Sequence, residues 1–429
     1  MPAGGFIEQT LGSLFGYRNH AEPFEILQSV KDTLLDDPKT EQLLDNCGLP
    51  ISHQSEEELE QSWYLSRGEK LADLAEWDQL GREIQEFDKM NATTASGMPI
   101  SEALTLGARK VVLAPIRDAL ENGGHQPSLD VFHDVHDAMH AHPRNYGLAA
   151  LLCLAHVDAG FIWLNYTGKV QKHIAHKTFR RHFAMAQEIL NNYNAYDLGS
   201  SLLALTQCAI LPGLDDPALR FCDDYEDLIE LDPTTPQHFL KFGVHLLPAW
   251  FGSYATLENY ARKLTKTTYD FWGKGAYALV YAGAIAQDVA ACERVDPDLF
   301  LTSLLDVMER RTDQHAANHY AAFLTLTLAD APHRNDSRAS QKKRHKISEA
   351  ADYVIDEHMR EIHPLTWYHT AALINPALQT DHIPTQKLYG GVIAAEIIAS
   401  RRRYLETLWQ NRLQFTQSFV TPIQKVISR

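Results

Sequence analysis

Residues Glu230 to Leu264 read ELDPTTPQHFLKFGVHLLPAWFGSYATLENYARKL, and the interruption from Pro248 to Ser253 decides how the chain is understood. Apolar residues recur at three- and four-residue spacing on both sides: Phe239, Phe242 and Leu246 before it, Leu257, Ala261 and Leu264 after it. That period marks amphipathic helices. The interruption places Trp250 and Phe251 in a Pro/Gly/Ser turn, either an active-site loop or a joint between packed helices. Buried aromatics far outnumber catalytic ones, so the turn is read as a joint. Gly252 is expected to end the first helix in a left-handed conformation, and Ser253 to cap the second by accepting an amide hydrogen bond. The two rings would plug the corner.

The same grammar runs along the chain. Helical periodicity recurs from 56–73 through 364–374 and a long last segment at 383–417, with almost no alternating strand pattern. AHPRN (141–145), ELDPTTPQH (230–238) and RVDPDLF (294–300) each put proline between one helix and the next. Proline fits a first turn, where the missing amide proton has no intrahelical use. Head-to-tail helix, proline turn and helix is the layout of an α-solenoid.

Within this layout, Leu231-Asp232-Pro233 ends one unit, Gly243 sits in the middle of a first helix and Ala255 early in a second. AHPRNYGLAALLCLAHVDAG (141–160) repeats the order of proline, tyrosine and small residues. The stretch from Glu56 to Ala331 thereby resembles tetratricopeptide-like repeats. The Pro-x-Trp-x-Gly-Ser turn also resembles one in uncharacterised bacterial helical-repeat proteins. The resemblance implies an all-α, right-handed, solenoid-like array of antiparallel helical hairpins over 56–331. An N-terminal extension (1–55) would precede it, and a basic linker (332–346) and C-terminal helical cap (347–429) would follow. Ala394 to Val420 would close the array, since a terminal repeat needs a polar outer side. The resemblance implies peptide or protein binding and brings no catalytic residue with it.

Composition narrows the function. Lys+Arg 39 against Asp+Glu 55 gives −16, which disfavours nucleic acid and anionic membranes as partners of the whole chain. Protonating all 21 histidines would carry the charge from −16 to +5, so it crosses zero where histidine titrates. Five scattered cysteines with no CxxC pair point to a reducing, cytoplasmic setting. The start, MPAGGFIEQTLGSLFGY, lacks the basic and apolar regions of a signal peptide. YGLAALLCLAHVDAGFIWL carries His156 and Asp158 and reads as a buried helix rather than a membrane span.

Motifs for chemistry are sparse. In FHDVHDAMHAH, residues His133, His136 and His140 share one helix face beside Asp137, a possible zinc set. Phe132, Val135 and Met139 occupy the opposite side, so the stripe is read as a solvated face and no cofactor is expected. GxSxG, HExxH and P-loop signatures are absent. The basic run Lys169, Lys172, Lys177, Arg180 and Arg181 and the acidic run Asp215 to Asp232 suggest paired neighbouring helices. HRNDSRASQKKRHK (333–346) reads as a mobile basic linker or a frayed helix start. Tyr254, Tyr277, Tyr281, His315 and His319 fall on presumptive inner helices and would line a partner groove. The leading expectation is a non-catalytic scaffold for a protein or peptide. The rivals are a metal-dependent hydrolase using His133 to His140, and a structural subunit of a larger assembly.

Overall fold

A computed structural model describes residue 44 and residues 47–123, 129–166, 171–328 and 337–402. Among these the chain is helical, with isolated β-bridges at Ile51–Ile362 and Thr93–Pro99 and no named strand. The longer helices are α1 (Glu56–Asp73), α2 (Trp77–Lys89), α3 (Ile100–Glu121), α4 (His133–Ala141) and α5 (Tyr146–Asn165). Next come α6 (Lys172–Leu190), α7 (Ser201–Ile210), α8 (Phe221–Leu231), α9 (Pro236–His245), α10 (Tyr254–Thr267) and α11 (Ala276–Gln287). The series ends with α12 (Pro297–Arg310), α13 (Gln314–Ala322), α14 (Arg338–Ser348), α15 (Pro364–Ile374) and α16, residues 383–402.

Local chemistry starts these helices where the periodicity places them. Ser55, Ser200, Ser253, Asp296, Asp313 and Ser337 each accept a first-turn amide with the side chain. Pro236, Pro297 and Pro364 fill first-turn positions. Helices α5 and α11 are apolar on nearly every side and lie buried in the core. Helix α5 is the one described helix long and apolar enough to cross a membrane by length and composition, and it is enclosed by protein. Its polar residues are matched internally: Asp158 receives Arg109 from α3 at 2.7 Å, and His156 meets His182 of α6 at 3.0 Å.

Gly243 has a specific steric task. A Cβ there would lie 2.0 Å from the Val280 carbonyl oxygen on α11, and one at Gly283 would lie 2.1 Å from that of Leu240 on α9. The reciprocal pair lets two helix backbones touch. Gly68 and Gly107 do the same for α1 and α3, at 2.2 and 2.0 Å from Leu104 and Leu65 carbonyls. The close approach at Gly243 therefore joins α9 to α11.

Contacts pass mostly between helices near in sequence and then return to the beginning. Helix α5 packs on α6 and α7, α7 on α8, α8 on α9, α9 on α11, and α13 on α15. At the return, Ser52 N donates to Ile362 O at 2.9 Å and Ile362 N to Pro50 O at 2.8 Å. Lys387 of α16 pairs with Glu58 of α1 at 2.6 Å. The C-terminal part is thus seated against the first helix through a specific ion pair, rather than simply offering a polar outer face. Residues 403–429 lie outside the described residues, as do 1–43 of the extension.

The turn at Pro248–Ser253 has the geometry of a joint. Ser253 Oγ accepts the Thr256 amide at 3.1 Å, and the Trp250 and Phe251 rings lie 4.8 and 4.9 Å from His245. Gly252 departs from expectation, since its φ is not positive. It is needed for space, because a Cβ would lie 2.3 Å from the Leu246 carbonyl oxygen.

Two further expectations need correction. Residues 338–348 form a docked helix rather than a mobile linker: Ser337 caps it, Arg344 and Ile347 are fully buried, and Lys343 Nζ donates to Glu293 O and Val295 O. Residues 332–336 lie outside the described set. Among the described residues the basic and acidic runs are not paired helices either, since only Arg180 approaches Asp215, at 4.0 Å, while Glu226 turns to Lys263 of α10. Lys169 is outside the described residues.

Gly243→Ala tests the backbone contact. Helix propensity alone favours alanine by about 1 kcal/mol. Pushing two backbones apart should outweigh it, for a net loss of about 2 kcal/mol or more. Denaturant unfolding gives the sign, and a stabilised variant would show that the crossing is loose.

Candidate functional site

The N-terminal ends of α9 and α13 and the turn before α3 converge on the loop around Ser96. Arg311 Nη2 donates to Ser96 O at 2.6 Å, Gln237 Nε2 reaches the same oxygen at 3.5 Å, and Glu57 accepts the Ser96 amide at 2.7 Å. Arg311 is itself held by Asp313 at 2.7 Å, and Asp313 caps α13 by accepting the Ala316 amide at 2.8 Å. One carboxylate therefore fixes both the arginine and the helix start.

Asn318 locks α13 against α15. Its Nδ2 donates to Gln314 O and Glu361 O, at 2.8 and 2.9 Å. Its Oδ1 accepts from the His363 amide and Trp367 Nε1, both at 2.9 Å. All four hydrogen-bonding positions of this buried amide are used, which gives α13 one rotational setting.

That setting aims His315 and His319 from successive turns. Both side chains are partly exposed, with His363 6.3 Å from the His315 ring and Tyr320 5.4 Å from the His319 ring. Burial, reinforced by His319, depresses His315 to about 3, and burial with the nearby Arg311 charge depresses His319 to about 4. Burial alone holds His369 of α15 at about 4. At neutral pH these are uncharged imidazoles, each able to donate and accept a hydrogen bond.

A ladder of charges runs along α3. Lys241 of α9 pairs with Glu102 at 2.9 Å, and Arg109 with Asp158 at 2.7 Å. Burial would raise the Glu102 pKa, but Lys241 and then Arg109 outweigh it and lower it. For Asp158 burial prevails over both neighbouring arginines, and its pKa is raised. At the start of α9, Asp232 is opposed by burial yet held at about 2 by His238, Thr235 and Thr234. The ladder's charges are matched within the chain.

The sequence-based candidates divide. His315 and His319 share one stripe, as anticipated. Tyr277 and Tyr281 are fully buried, and both hydroxyls donate to Glu258 Oε2, at 2.8 and 2.6 Å. Tyr277 also accepts the Asp296 amide at 2.9 Å. These two tie α10, α11 and the start of α12 together and do not line an open groove, because an apolar helix such as α11 buries every face. Tyr254 is half-buried and donates to Asp288 at 2.5 Å. His133, His136 and His140 are exposed on α4, with His136 and His140 Nε2 atoms 3.2 Å apart. Among the described residues no group of three or more His, Cys, Asp or Glu is arranged to hold a metal ion. Sequence reasoning missed His369, Lys241, Glu102 and Asn318. Lone polar residues inside strongly apolar helical runs were the available signal.

No family model, curated protein or solved structure matches this chain.

The depressed histidines predict acid lability. His156 and His182 are buried and held at about 3 and about 4, and His245 at about 3, against 6.5 for a free imidazole. Burial is the largest cause in each. The unfolded chain therefore takes up more protons once the pH falls below 6.5. The stability these groups contribute is complete above that value and is lost toward pH 4 to 3. Each fully buried ring should cost at most about 1.4 kcal/mol per pH unit. Urea midpoints measured between neutral and mildly acidic pH should fall, and a flat profile would contradict neutral buried rings.

Proposed function

We propose that this chain is a non-catalytic, tetratricopeptide-like binding scaffold. Its antiparallel helical hairpins form a solenoid-like array that holds a protein or peptide segment against the inner helices. The observation that carries this reading is the stripe of neutral, partly exposed His315 and His319 on α13, a helix set by Asn318 and Asp313. Uncharged imidazoles on a preset helix suit recognition of an extended chain. They offer an apolar face to side chains and a donor or acceptor to peptide groups without a charge to desolvate.

Tyr277 and Tyr281, whose hydroxyls are spent on Glu258, are left out of this wall. The charged neighbours of the two histidines, Arg311 and Asp313, pair with each other, and the overall acidic balance favours a neutral or basic segment over an anionic one. A cytoplasmic setting belongs to the same proposal and agrees with five unpaired cysteines.

Capture from source-cell lysate followed by mass spectrometry should identify the partner. His315→Ala combined with His319→Ala should then weaken capture about ten-fold or more, roughly 1.4 kcal/mol, with little change in melting. Tyr281→Phe, which alters only the internal hydrogen bond to Glu258, should retain capture. Full capture by the double-histidine variant would remove the binding role from this wall.

A further inference from the structure

The outer side of α6 presents Lys172, His173, His176, Lys177, Arg180 and Arg181, all exposed. Among the described residues Arg180 alone makes an ion pair, a 4.0 Å approach to an Asp215 that is almost wholly in solvent. This placement works against the helix. The first turn of α6 contains Lys172 and no acidic residue, and no side chain caps it, so positive charge sits at the positive end of the dipole.

Helix α8 carries the opposite imbalance. Asp223, Asp224, Glu226, Asp227 and Glu230 crowd its length, and its last turn has no basic residue. Asp224 is paired with Arg220 and Glu226 with Lys263, while Asp223 and Asp227 have no ion pair among the described residues. Burial and then the charges of Asp224, Glu230, Asp223 and Glu226 raise the Asp227 pKa, a direct sign of self-repulsion. Both helices pack on α7, yet among the described residues no hydrogen bond or ion pair joins one to the other.

We propose that the basic face of α6 docks on the acidic face of α8 in a second copy of this chain. Within one molecule the two helices exchange no hydrogen bond or ion pair among the described residues, which leaves their charges to be matched by a second molecule. Each face relieves the unfavourable field of the other, and the partner surface is of known chemistry. The net charge of −16 does not forbid it, since charges more than a Debye length of about 8 Å from the contact are screened at physiological salt. The contact joins different surfaces, so it builds a dimer only if the rotation closes and a longer chain otherwise. This inference is independent of the inner-wall reading.

Sedimentation of the full chain at high protein concentration tests it. Self-association is expected at about 0.1 M salt and should weaken about ten-fold or more near 1 M, where the Debye length shrinks from about 10 to about 3 Å. Lys177→Glu with Arg181→Glu should leave a monomer, as should Asp223→Lys with Asp227→Lys. Melting curves establish that both variants fold. Mixing the two should restore association, because the intact acidic face of one meets the intact basic face of the other. A monomeric parent chain would overturn the proposal. So would association indifferent to both reversals, or binding of anionic vesicles or nucleic acid by the α6 face without self-association.

Discussion

The backbone contact between α9 and α11 is the constraint on which much of the structure depends. With Gly243 over Val280 and Gly283 over Leu240, no side chain separates the two helices. Such proximity brings apolar surface on both flanks into contact and fixes the relative setting of the helices to a fraction of an ångström. The α1/α3 crossing through Gly68 and Gly107 repeats the device near the start of the described chain. Once the inner helices touch in this way, the residues on their remaining faces have little choice of neighbour. Tyr277 and Tyr281 are driven inward to Glu258, and Lys241 is delivered to Glu102.

The interior contains far more polarity than a simple apolar core, and the physics of burial sorts it. Carboxylates that enter bring a cation or several donors with them: Glu102 has Lys241, Asp158 has Arg109, and Asp88 accepts from Tyr146, Ser200 and the Leu202 amide. Histidines follow another route. His156, His182, His245, His315 and His319 enter uncharged, because losing a proton is less costly than burying an unpaired cation. The result is a chain of net negative charge in which His315 and His319 of α13 are neutral and partly exposed.

The Pro248–Ser253 turn shows how a conspicuous motif can be structural. Trp250 and Phe251 gather around His245, and Ser253 begins α10. The aromatic cluster holds the corner at which α9 gives way to α10. The histidine-rich α4 likewise keeps Val135 and Met139 buried and turns its imidazoles to water.

Helix positions were legible because they rest on local causes: apolar spacing, Ser and Asp caps, and first-turn prolines act within a few residues. The same is true of the exposed face of α4 and the buried character of α5, which follow from a single helix's periodicity. The site was legible only in part. His315 and His319 share a face by spacing alone, but nothing local says that Asn318 clamps that face beside Trp367, or that His369 lies on the neighbouring helix. Tyr277 and Tyr281 resembled wall residues because spacing cannot tell the inside of a groove from the inside of a core. The sequence by itself determined an all-helical chain with its joints and caps, through interactions that reach one helical turn. Tertiary structure decided which helices touch through glycine, where the charges find partners and which histidines stay partly exposed, because those outcomes depend on groups far apart in the chain.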